Sequence, residues 1–108
     1  MKAAMATAAA TAYPHITKTL GVCGGKACIA GTRIRVMDIV VLHDQGIPPE
    51  QMLEHYSSRP LTPAEIHSAL AYYYDHKDEI VASFEEDRRN ETEHEAQRME
   101  YLSRRPAR

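Results

Sequence analysis

Between Tyr13 and about Phe84 the apolar residues fall into short, regular patterns, and on either side of that stretch they do not. His15-Ile16-Thr17-Lys18 and Ala27-Cys28-Ile29 read as two short strands, with Gly24-Gly25 as the turn that makes them a hairpin. Val36, Ile39, Val40 and His43 then recur at helical spacing and Gly46 supplies a C-terminal stop, which predicts a first helix over residues 36–45. Pro48-Pro49-Glu50 opens a short second helix, with Met52, Leu53 and Tyr56 on its inner side and an end near Tyr56. Thr62-Pro63-Ala64-Glu65 is a capping box: the Thr62 hydroxyl can accept from a backbone N–H while Glu65 reaches back to the cap. A third helix therefore starts there, with Ile66, Ala69, Leu70 and Tyr73 as its inner stripe. Ile80, Val81 and Phe84 resume an apolar face after Tyr74-Asp75-His76, so a bend or break is expected near His76.

The flanks carry different information. Met1 to Ala12 is rich in Ala and Thr and reads as a disordered tail, residues 1–12. Residues 85–108 hold seven acids and six arginines, with no large apolar side chain between Phe84 and Met99. Such a stretch can be helical but has no face to bury. The division expected is a tail, a folded domain over residues 13–84, and a charged C-terminal segment over 85–108. The fold class expected is mainly α: a three-helix, helix-turn-helix core with a small N-terminal β-hairpin and a long charged C-terminal helix or tail.

A formal net charge of −2 excludes a surface that tracks nucleic acid all over and leaves room only for a local patch. Arg33 and Arg35 alternate with Ile34 and Val36, so an extended backbone sets two guanidinium groups on one face as a small basic ledge. Outward positions of the third helix are Ala64, Ser68, Ala71 and Asp75, flanked by Glu65, His67, Tyr72 and Tyr74, without one Arg or Lys. DNA contact would thus lean on Lys26, Arg33, Arg35 and Arg59, with His67, Ser68 and Tyr74 as secondary polar contacts. Solvated strand arginines are the plainer alternative.

Catalytic and metal chemistry find little support. Cys23 and Cys28 form one cysteine pair where zinc needs four ligands, and the six histidines lack the i, i+4 pairing of a metal site. Small buried cysteines in a hairpin are the expected outcome; a redox- or metal-responsive regulator built on them is a third-ranked alternative. No Ser/His/Asp or Cys/His arrangement is recognisable, so no enzyme activity and no cofactor are expected. With two cysteines and no long apolar segment, the expectation is a reduced cytoplasmic protein that does not enter a membrane. Val41 and Leu42 flank the polar stripe of the first helix, leaving too much of it apolar for a monomer surface, and predict a two-fold homodimer.

Cys23-Gly-Gly-Lys-Ala-Cys-Ile-Ala-Gly-Thr-Arg-Ile-Arg-Val36, Gly46-Ile-Pro-Pro-Glu-Gln-Met-Leu53 and Leu61-Thr-Pro-Ala-Glu-Ile-His-Ser-Ala-Leu-Ala-Tyr-Tyr73 together resemble a bacterial and archaeal family known as domain of unknown function number 433. Ala27 and Arg35 stand where that family often has proline. The resemblance implies a homeodomain-type helix-turn-helix and an antitoxin of a type II toxin–antitoxin pair: a dimer that binds operator DNA and silences a PIN-like nuclease toxin through its C-terminal segment. Carried onto this chain, it implies that Met99 and Leu102, with Tyr101, enter an apolar groove of the toxin while Arg88, Arg89 and Arg98 approach the nuclease's acidic site. A protein-interaction module without DNA binding is the alternative from a different class.

Overall fold

A computed structural model of the chain describes residues 9–56 and 59–104. Strands β1 (Ala9–Ala10), β2 (Ile16–Lys18) and β3 (Ala27–Ile29) form an antiparallel sheet in the order β1-β2-β3. Ile16 faces Ile29 and Lys18 faces Ala27 across the β2–β3 pair, while Ala10 faces Thr17 across β1–β2. The predicted hairpin is therefore present, with a third short strand on its edge. That strand, Ala9–Ala10, lies within the stretch expected as a disordered tail; residues 1–8 lie outside the described ones. The connection is also longer than a Gly-Gly turn. Residues 19–26 join β2 to β3 and contain a single 3-10 turn, Cys23–Gly25, in which Gly24 and Gly25 both sit at left-handed φ of 67° and 78°. A side chain would strain both positions, which is the physical content of the glycine pair.

The helices follow at the predicted places: α1 (Val36–Asp44), α2 (Pro49–Met52) running into a 3-10 turn (Leu53–His55), α3 (Pro63–Asp75) and α4 (Lys77–Arg104). Proline at the start of α2 and α3 costs nothing there, because the first N–H groups of a helix have no intrahelical partner. The capping box on α3 is formed as read, with Glu65 N–H donating to Thr62 Oγ1 at 3.2 Å and Thr62 N–H donating to Glu65 Oε1 at 2.9 Å. α3 ends at Asp75, and His76 leaves the helical region at φ −134° before α4 begins.

Ile16 and Ile29 from the sheet, Val36, Ile39 and Val40 from α1, Met52 from α2, Ile66 and Ala69 from α3, and Ile80 from α4 make one buried core. The core is thus not made by three helices alone: the sheet floors it and the first turn of α4 closes one side. α4 runs without a break across residues 84 and 85, so the charged segment is the continuation of a helix anchored in the core by Ile80 and Phe84. From Arg88 to Arg104 every residue of α4 is exposed. At 1.5 Å per residue this makes an arm of about 25 Å. The Cα radius of gyration of 17.3 Å reflects it, against about 13 Å for a compact chain of this length.

Candidate functional site

The residues singled out for DNA contact begin at the hairpin and the entry to α1. Arg35 is the N-cap of α1 with extended backbone, and its own N–H donates to Asp38 Oδ2 at 2.9 Å. Its guanidinium then grips both oxygens of Asp38, Nε at 3.2 Å and Nη2 at 2.9 Å, and reaches α4 through Nη1 to Asp87 Oδ2 at 3.0 Å. Asp38 first and Asp87 second hold the Arg35 pKa above its ordinary value. Lys26, whose side chain is only 16% exposed, pairs with Glu86 of α4 at 2.9 Å. Lys18 on β2 pairs with Glu79 at 2.9 Å, and that contact raises the lysine's pKa against its partial burial. Three cations of the body thus meet three acids of α4. Residues 79, 86 and 87 fall within about 100° of one another around a helix, so one face of α4 presents them all.

Arg33 differs from its neighbour. It is exposed and makes no ion pair among the described residues; its carbonyl accepts from the Cys23 thiol at 3.4 Å. With Thr17, Thr19 and Thr32 it lines a cleft of about 410 Å³ floored by Cys28. The predicted ledge of two equivalent arginines is therefore split: one is free at the surface, the other is a tie between α1 and α4. Arg59 reaches both oxygens of Glu65 at 3.3 and 3.4 Å. Burial pulls the Glu65 pKa up, but the Thr62 N–H and Arg59 outweigh it, and the net shift is downward. On α3, His67 is exposed and Ser68 half-buried, and no Lys or Arg lies between Pro63 and Asp75.

The α3–α4 junction holds an aromatic cluster that the sequence reading did not single out. Tyr72 stacks on His76 at 4.1 Å, Tyr13 meets Tyr72 edge-on at 5.4 Å, and the Tyr13 hydroxyl donates to Asp75. Tyr72 donates to both Glu79 oxygens at 2.8 and 2.9 Å, so Glu79 is shared between this cluster and Lys18. The acids of α4 were legible only as spacing, Glu79 to Glu86 being two helical turns; which cations meet them is set by how α4 crosses the sheet.

Cys23 and Cys28 are both free thiols. Cys23 sits at a left-handed φ of 53°, while Cys28 is buried on β3. Burial, then the neighbouring Cys23 thiol, pushes the Cys28 pKa up to about 12, which leaves it protonated and unreactive at neutral pH. Among the described residues no three His, Cys, Asp or Glu side chains gather as metal ligands, and no helix is long and apolar enough to cross a membrane.

The predicted partner-binding residues all lie on the arm. Arg88 pairs with Glu85, and Arg98 pairs with Glu95 at 2.9 Å, each within one helical turn, while Arg89 is exposed. Met99, Tyr101 and Leu102 are 56%, 65% and 44% exposed, and no body residue among the described ones covers them. Val41 is 40% exposed, but Leu42 packs against the core, so the two predicted dimer residues do not form one exposed face.

A family model described as "Protein of unknown function (DUF433)" matches residues 16–73. The crystal structure of a DUF433 member protein from Anabaena variabilis is similar, with a TM-score of 0.58 and 36% sequence identity. That likeness covers 64% of this chain and 66% of the other, so the chain spans just under two thirds of the relative's length. No curated protein matches.

Proposed function

The chain belongs to the DUF433 family, and from that premise we propose that it is an antitoxin-like protein with two binding parts. In this reading the compact body contacts operator DNA, and the projecting end of α4 captures and silences a PIN-like nuclease. One observation carries it: an arm exposed from Arg88 to Arg104 that carries Met99, Tyr101 and Leu102 near its end, with no described body residue beneath them. Met99 and Leu102 are three apart on a helix and lie on one face, the spacing by which a helix enters an apolar groove. Arg88, Arg89 and Arg98 bring cations along the same arm toward an acidic nuclease site. On the body, short α2 and longer α3 follow one another as in a helix-turn-helix, and exposed Arg33 and His67, with half-buried Ser68, are the side chains within reach of a duplex. The homodimer that accompanies this reading uses Val41 of α1.

Co-expression with the product of the adjacent gene tests the arm. The full chain is expected to co-purify with that protein and suppress its nuclease activity. Met99→Asp with Leu102→Asp should lose both, and a double variant that still binds and still suppresses would overturn the reading.

A module that binds protein and never DNA is the second reading. It is favoured by the ion pairs that already engage Lys26, Arg35 and Arg59 and by the absence of a cation within α3. Titration of the full chain onto a duplex from its own upstream region at low salt separates the two.

A further inference from the structure

Lys18, Lys26 and Arg35 are spread over β2, the entry to β3 and the N-cap of α1, yet each ends on a carboxylate of the same α4 face. Their donor-to-oxygen distances are 2.9, 2.9 and 3.0 Å. Charge-assisted bonds from Lys and Arg to phosphate oxygens have this same length and donor set. Arg33, beside them in sequence, carries no such partner among the described residues and stays at the surface.

We propose that Glu86 and Asp87 of α4, with Glu79 behind them, mask a phosphate-binding surface of Lys18, Lys26 and Arg35, so that duplex DNA and this face of α4 compete for the same cations. The inference rests on the DNA-contact reading above and adds its regulation. Arg33 is the standing contact, and the covered cations join it when the seam opens. The seam is built to open: the side chains of Glu86 and Asp87 are 54% and 41% exposed, and ion pairs so accessible to solvent are individually weak and screened by salt. Beyond Phe84, no apolar side chain of α4 is packed on the core, so past that anchor these pairs are what tie residues 85–87 to the body among the described residues. Whatever draws the arm away also uncovers the cations, and by linkage DNA on the cations loosens the arm by the same factor.

Anisotropy of the full chain on a short fluorescein-labelled duplex of random sequence, followed through a salt series, tests this. Glu86→Gln with Asp87→Asn is expected to tighten binding about tenfold and to steepen the slope of log K against log salt by between about one and two, since Lys26 loses its ion-pair partner while Arg35 keeps Asp38. Glu86→Gln alone, the milder variant, should steepen it by about one and serves if the double variant loses its helical circular dichroism. Adding Lys26→Gln to the double variant should take one back. Glu91→Gln with Glu93→Gln makes the same change in net charge on the exposed arm and should leave the slope where it was. If the wild type binds and the Glu86/Asp87 variant matches it in affinity and slope, the mask does not exist while the DNA reading stands. An equal gain in the Glu91/Glu93 control assigns the effect to bulk charge and likewise overturns the mask. If none of the variants binds duplex at low salt, the mask and the DNA reading fall together.

Discussion

Arg33 and Arg35 are two residues apart and have opposite jobs. Arg35 closes the first turn of α1 onto Asp38 and ties it to Asp87, so Arg35→Ala should cost about 1 kcal/mol, a fall in Tm of about 5 °C. Arg33→Ala should leave Tm unchanged, and thermal melts of the two variants side by side check the contrast. Glu65 makes a second prediction at this scale. Its folded pKa lies below its ordinary value, so it adds stability that is fully present above the unfolded pKa and is lost as pH falls through the folded one. The expected window is therefore acid, from the usual carboxylate range downward. In Glu65→Gln the stability difference from wild type should shrink as pH drops through that window, measured by urea melts at a series of pH values. Thr62→Ala removes the other half of the same cap and should cost about 1 kcal/mol.

Among the elements, α4 is the one whose meaning changes most between sequence and structure. A cut after residue 84 looks, from composition, like removal of a tail. The structure makes it the removal of Glu86 and Asp87, and with them the partners of Lys26 and Arg35. A chain ending at residue 84 should therefore melt below one ending at residue 95, and the latter should match the full chain, since every residue from Arg88 to Arg104 is exposed. Equal melting of the two truncated forms would mean that the seam adds nothing to stability. Both forms lack Met99, Tyr101 and Leu102, so both should lose partner capture. That separates the arm's binding role from the structural role of the turn before it.

At the scale of the whole molecule, the arm and the body are coupled through one helix. A rigid α4 rooted by Ile80 in the core carries any pull on Met99 or Leu102 back to the cations of the sheet, because a helix transmits displacement along its axis better than a coil does. Association of two chains is the other property that belongs here. Sedimentation velocity at tens of micromolar should give a dimer that Val41→Asp converts to monomer. Because Leu42 is turned into the core, Leu42→Asp should instead lower stability, and that difference distinguishes an interface residue from a packing one.

The features legible along the chain are local. The capping box at Thr62, proline at the first turns of α2 and α3, the left-handed Gly24-Gly25 pair and the 3.6-residue stripes of α1 and α3 are each set by neighbours within a few positions, so periodicity and turn chemistry expose them. The third strand at Ala9–Ala10 escaped because alanine carries no strand signal and the pairing comes from β2. What the charges do is set by the way distant elements pack. Arg35 and Asp87 are 52 positions apart and Lys26 and Glu86 are 60, and no spacing rule joins them. An isolated basic residue looks the same in sequence whether it faces solvent, a phosphate or a carboxylate from a distant helix; its partner is chosen by how the helices pack, and packing is driven by the apolar core and not by the charges themselves.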